Sequence, residues 1–222
     1  SARMIKISNS SYMGRSVKVT STSQAVTRIG LRQIKNIATA LAMEQLFVSK
    51  NDIVKNYLDK VWQQNLKVVA ASMAVMQLHI KETKNRTLNL DTMTLAALVH
   101  NIGVLPILTE AERHPEVFAN PTFLNVAIDK LAGRIGASIM REWGFEQEFV
   151  NVAENWHDMT VQTDMISYLD FTRLGAVLAG QFDSQKDALL NLAVQKGILA
   201  DLSILQSEDY QELYDSASAI FA

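Results

Sequence analysis

Apolar positions recur at three- and four-residue spacing along almost the whole chain, a pattern that predicts helices rather than strands. Residues 52–82 give the longest run: Val54, Leu58, Val61, Trp62, Val69, Met73, Met76 and Ile80 fall near one face, and Asp52 is placed to cap its start. Before it, "STSQAVTRIGLRQIKNIATALAMEQLFV" reads as two helices meeting at Gly30. Ser23 caps a short one carrying Val26 and Ile29, Gly30 suits a helix end, and Leu31, Ile34, Ile37, Ala38, Leu41 and Leu46 line the second. The stretch "LAALVHNIGVLPIL", residues 95–108, closes a helix capped by Asp91 or Thr92 and stopped at Gly103. The three prolines of the chain, at 106, 115 and 121, break the region 104–121. Further helices are expected over 122–142, over "EQEFVNVAENWH", over the pair 165–183 and 185–199, and from a Ser207 cap to about 221. "SVKVT" (16–20) alternates weakly but has no partner strand, so it is read as an extended loop. The opening "ARMIKIS" reads as the end of a helix whose start precedes Ser1.

Composition narrows the picture. A chain of 222 residues makes one large domain or two small ones, and 48% hydrophobic residues suffice for a substantial core. There is no repeat period, low-complexity segment or flexible interdomain linker. With 21 basic and 23 acidic residues the net charge is −2, which gives no general pull toward nucleic acid or an anionic membrane. The two helices around Gly30 have helix-turn-helix spacing, but the second is apolar, with only Arg32 and Lys35 near its start, so no nucleic-acid partner is expected. Absence of cysteine excludes disulfides, zinc–thiolate sites and cysteine nucleophiles, and fits a reducing compartment. No apolar run is read as long enough to span a bilayer, and the N-terminus lacks a secretory layout. The expectation is a soluble, cytoplasmic protein with no membrane partner.

Chemistry concentrates in few places. His79 and His114 lie among charged or proline-rich neighbours and are read as solvated or locally bonded. His100 and His157 each end a helix, where an imidazole can bond free carbonyls. A pair of histidines alone is weak evidence for a metal, because a hydrolytic centre needs several ligands, usually with carboxylates, and an open position for water.

At "LAALVHNIG" the chain resembles the HD-superfamily phosphohydrolases, in which a consecutive His-Asp pair ligates metal and a glycine follows. "MIKISNSSYMG", "VTSTSQAVTRIGLRQIKNIATALA" and "GASIMREWGFEQEFVNVAENWHD" are similar, in order, to segments of the HDOD family, a related branch. The resemblance covers about residues 2 to 183. It implies metal positions that this chain mostly does not keep. The first histidine of the superfamily is matched by Gln64, the aspartate of the pair by Asn101, a histidine before "IGAS" by Ala132 or a close neighbour, and a His-His pair by Trp156-His157. Only His100 and His157 remain, with Asp170 loosely matching a later acidic position. Asparagine and glutamine keep a carbonyl oxygen but no charge, and an indole cannot bind a metal.

The resulting expectation is an all-α, multi-helix bundle of the HD-domain (PDEase-like) type. Residues 1–50 form its N-terminal helical part, 51–183 a degenerate HD core, and 184–222 helices completing the same domain. Gln64, His100, Asn101, Trp156, His157 and Asp170 line a vestigial pocket, and hydrogen bonds among Gln64, His100, Asn101 and His157 satisfy them. No catalytic or metal-binding residue and no cofactor is assigned. The resemblance implies a non-catalytic bacterial signalling module that acts on other signalling proteins, in two-component or cyclic-dinucleotide signalling. The alternative is a metal-dependent phosphohydrolase using His100 and His157 with Asp158 or Asp170. A third reading is a small-molecule sensor that uses the old site as a pocket.

Overall fold

A computed structural model describes residues 20–118 and 120–221. Among them every regular element is a helix: α1 (Thr22–Glu44), α2 (Asp52–Thr83), α3 (Leu90–Val99), α4 (Val104–Ala111), α5 (Pro115–Phe118), α6 (Pro121–Glu142), α7 (Gln147–Asn155), α8 (Tyr168–Leu178), α9 (Lys186–Gln195) and α10 (Glu208–Phe221), with short 3-10 turns at Asp183–Gln185 and Leu202–Gln206. The all-α bundle follows the periodicity closely. The readings of "ARMIKIS" and of most of "SVKVT" lie outside the described residues.

The helix starts differ from expectation by one or two residues. Ser21, not Ser23, caps α1 by accepting from the Gln24 amide. Asn51 rather than Asp52 caps α2, its Oδ1 accepting from Ile53 and Val54 at 3.0 and 3.2 Å. Asn89 caps α3 in the same way, through Asp91 and Thr92. Asp52 and Asp91 sit inside the first turn instead, where a carboxylate faces the positive end of the helix dipole. Ser207 caps α10 as expected, accepting from the Tyr210 amide at 3.1 Å. Gly30, at φ +82°, kinks α1 and divides it into two segments.

Helix α2 is the spine. It packs against α8, α10 and α3, and every residue from Val68 to Met76 is buried, so its apolar stripe widens into an all-round core helix. This corrects the reading of His79 as a solvated side chain. It is buried, its Nδ1 lies 3.1 Å from the Ile198 carbonyl oxygen, and its ring packs on Phe171. His114 is exposed between Glu110 and Glu116, as read from its neighbours. A single hydrophobic core runs from Ile37 on α1 to Phe221 on α10. Each fully buried large side chain in it, such as Met73, Leu98, Leu108 or Met140, contributes about 2 kcal/mol relative to exposure.

Leu90–Ala111 is long and apolar enough, by length and composition, to cross a membrane, which corrects the expectation that no such run exists. In the bundle it is broken at residues 100–103 and mostly buried. The prolines do not disrupt this region so much as start its helices. Pro106 lies in the first turn of α4, and Pro115 and Pro121 are the first residues of α5 and α6, where a missing N–H costs nothing.

A candidate polar site between α3, α6 and α7

Helix α3 ends at Val99, and His100 to Gly103 form a tight turn into α4. The turn is closed by backbone bonds from Ile102 to Val99 and from Val104 to Asn101. Gly103 has ordinary helical angles, φ −67° and ψ −13°, so its backbone would accept any residue. Its requirement for glycine is steric. A Cβ there would stand 1.8 Å from the Ala132 carbonyl oxygen and 2.6 Å from the Gly136 amide. Across the same interface a Cβ at Gly133 would stand 2.3 Å from the Glu154 carbonyl oxygen and 2.4 Å from the His157 ring. The small residues of "LAGRIGAS" on α6 therefore let the His100 turn on one side and α7 with His157 on the other approach to backbone contact.

His100 is fully buried. Its Nδ1 lies 2.6 Å from the Ala97 carbonyl oxygen, which can only accept, so Nδ1 carries the proton and Nε2 presents a bare lone pair. Burial pushes the imidazole pKa down to about 4, against the opposing pull of the Ala97 carbonyl, and the ring is neutral near pH 7. Trp156 meets it edge-on, ring centroids 4.6 Å apart at 89°, and also packs against His157 at 5.7 Å and Phe182 at 5.9 Å. His100, Trp156 and His157 are thus in ring contact. Asn101 is next to them on the turn, but the predicted hydrogen-bond network is not formed. His100 Nε2, Asn101 Oδ1 and His157 Nδ1 are all buried without a protein partner.

Two expected members face elsewhere. Gln64 donates from Nε2 to the Ala179 carbonyl oxygen at 2.7 Å, closing the C-terminal end of α8 rather than bonding His100. Asp170 completes a capping box at the start of α8: its Oδ2 accepts from the Ser167 amide at 2.8 Å, and its Oδ1 pairs with Lys196 Nζ at 2.7 Å. Asp158 caps its own turn through Thr160, whose hydroxyl and amide hold the carboxyl below the usual range.

Some polar side chains escaped sequence reasoning. Arg173 is buried inside α8 and ties down the segment after Trp156, donating to the Val161 carbonyl at 2.6 Å, to Asn155 at 2.9 Å and to Asp158. Burial lowers its pKa, with Asp170 and Asp158 opposing. The signal was available, since Arg173 is the lone cation in an otherwise apolar "FTRLGAVL". Asn65 is wholly buried on α2 with both amide atoms unpartnered, and its polar neighbours Gln63 and Gln64 disguised it as surface.

The residues at the positions of an HD metal centre do not fit a hydrolytic ion. A bare imidazole lone pair at His100 is a competent ligand, but the carboxylate that should follow it is an amide. The position of the first histidine is committed to Ala179, and the Trp156 indole packs at right angles against the His100 imidazole. Among the described residues no group of three or more His, Asp or Glu side chains is placed to hold a metal.

A model of the HDOD domain matches residues 1–159. The crystal structure of a protein from Shewanella amazonensis SB2B, described as a candidate metal-dependent phosphohydrolase, is 41% identical to this chain. The match covers 100% of this chain and 80% of that one, with a TM-score of 0.87. No curated protein matches.

Proposed function

The chain belongs to the HDOD family, and from that premise we propose a non-catalytic signalling module that acts by binding other signalling proteins in a bacterial two-component or cyclic-dinucleotide pathway. One observation carries the reading: at the place where an HD enzyme needs converging ligands, this chain has one neutral imidazole, an uncharged amide and an indole packed against the imidazole. Two histidines without a carboxylate neither hold a divalent ion firmly nor lower the pKa of its water to the range that hydrolysis at neutral pH requires. What remains is a rigid helical scaffold, which regulatory proteins use by presenting helix faces and grooves.

The competing reading is a metal-dependent phosphohydrolase, favoured by the description of the Shewanella relative and by the bare Nε2 of His100. A hydrolysis assay separates the two. The protein is incubated with manganese and either bis(p-nitrophenyl) phosphate or a cyclic dinucleotide, beside His100→Ala. The module reading expects equal, background rates for both proteins. Turnover that vanishes in His100→Ala would establish the enzyme instead.

A further inference from the structure

Away from the His100 turn, an open groove of about 450 Å³ lies between the C-terminal half of α2 and α10. Gln77, Ile80 and Lys81 form one wall, and Asp209, Glu212 and Leu213 the other, and Leu90 of α3 also lines it. Each wall is an i, i+3, i+4 set, so each is a ridge along one face of its helix. Ile80, Leu90 and Leu213 are half-buried and form an apolar floor, while Lys81, Asp209 and Glu212 stand exposed at the rim. A ridge on each helix with apolar side chains between them matches the surface into which an amphipathic helix lays its own ridge.

The charge decides what kind of helix. Over its 14 residues α10 carries Glu208, Asp209, Glu212 and Asp215 and no basic side chain. Lys81, the one rim cation among the described residues, is already paired with Asp209. Its pKa is raised by that hydrogen bond first, and also by the fields of Asp209, Glu212 and Glu82, so the rim around it is acidic. Glu212 has no ion-pair partner among the described residues. An acidic partner would therefore meet the uncompensated Glu212 on a helix that carries three further carboxylates, whereas a basic one would find Glu212 free and Asp209 exchangeable.

We propose that this groove is the docking site for a basic amphipathic helix of a partner protein, one that places Leu, Ile or Phe on the floor formed by Ile80, Leu90 and Leu213 and Lys or Arg against Glu212 and Asp209. The proposal names a partner chemistry and a surface for the signalling module. It does not depend on the remnant site, so hydrolysis or metal binding at His100 would leave it standing.

The test uses the whole chain as selection target for a phage-displayed library of random twelve-residue peptides. Selected peptides are then made synthetically, and their affinity is measured by fluorescence anisotropy. The expected result is peptides enriched in Lys or Arg with apolar residues at helical spacing. Their affinity should fall tenfold or more on Glu212→Lys, an exposed position that leaves the fold intact, and weaken steadily with added salt. Leu213→Asp should abolish binding, and circular dichroism of that variant checks that its helices persist. Failure to select binders, peptides with no basic excess, or basic peptides whose affinity is unchanged by Glu212→Lys would each overturn the proposal.

Discussion

Gly103→Ala is the most discriminating single-atom change that the structure suggests. The added Cβ would lie 1.8 Å from the Ala132 carbonyl oxygen and 2.6 Å from the Gly136 amide. Both are backbone atoms of α6, so no side chain can rotate out of the way. Reaching ordinary contact requires α6 to retreat by roughly 1.5 Å from the His100 turn. Helix α6 is also locked to α7 at Gly133, where the Glu154 carbonyl and the His157 ring leave no room either, so the retreat would pull the α6–α7 pair off α3 and α4. Overpacking of a closed core costs about 1–3 kcal/mol, and a backbone clash of this depth belongs at or above the upper end, about 3 kcal/mol. Gly144→Ala is the control. Its φ is +70° but nothing lies within 4 Å of the would-be Cβ, so it loses only the conformational term, about 1 kcal/mol. Urea unfolding followed by far-ultraviolet circular dichroism gives both numbers. A Gly103→Ala variant within about 1 kcal/mol of wild type, or less destabilised than Gly144→Ala, would refute the claim that close helix approach, rather than backbone conformation, fixes glycine at 103.

His100 gives a pH prediction. Its folded pKa, about 4, lies below the ordinary value of 6.5, so between those values the unfolded chain binds more protons than the folded one. Its contribution is full above pH 6.5 and is lost as pH falls toward 4, amounting to about 3 kcal/mol at roughly 1.4 kcal/mol per pH unit. Urea unfolding at pH 7 and pH 4.5 should show this loss in wild type and a flatter dependence in His100→Gln; identical slopes would contradict it. Arg173→Met removes a charged donor from the carbonyls of Asn155, Asp158 and Val161. It should cost about 3 kcal/mol and accelerate amide hydrogen exchange over residues 156–163, and unchanged exchange there would show that Arg173 does not fasten the segment.

Helix content was legible because the apolar spacing is regular over long stretches, and the long α2 and α6 fall within a residue of their expected spans. The Ser207 cap was legible, but those of α2 and α3 were not, because "ND" and "NLDT" offer two or three residues that all favour a helix start, and spacing does not say which one is the cap and which one sits in the first turn. His79 was misjudged because Lys81 and Glu82 made its surroundings look wet, whereas the spine helix is buried up to that turn. At the remnant site, chain order located His100, Trp156 and His157, which do meet. It could not show that Gln64 reaches Ala179, a residue 115 positions away, or that Asp170 serves the start of its own helix. Side-chain direction depends on which neighbour offers an unsatisfied carbonyl or amide, and spacing along the chain does not carry that information.

The central claim, that the His100 turn is a packed remnant and not a metal centre, is tested most directly by metal content. The protein is purified without chelator, incubated with manganese, iron or zinc, desalted and analysed for elements, beside His100→Ala. The account predicts metal at background in both proteins, since two histidines and one uncharged amide without a carboxylate cannot retain an ion through desalting. Close to one ion per chain in wild type, lost on His100→Ala, would contradict it and return the chain to the phosphohydrolases.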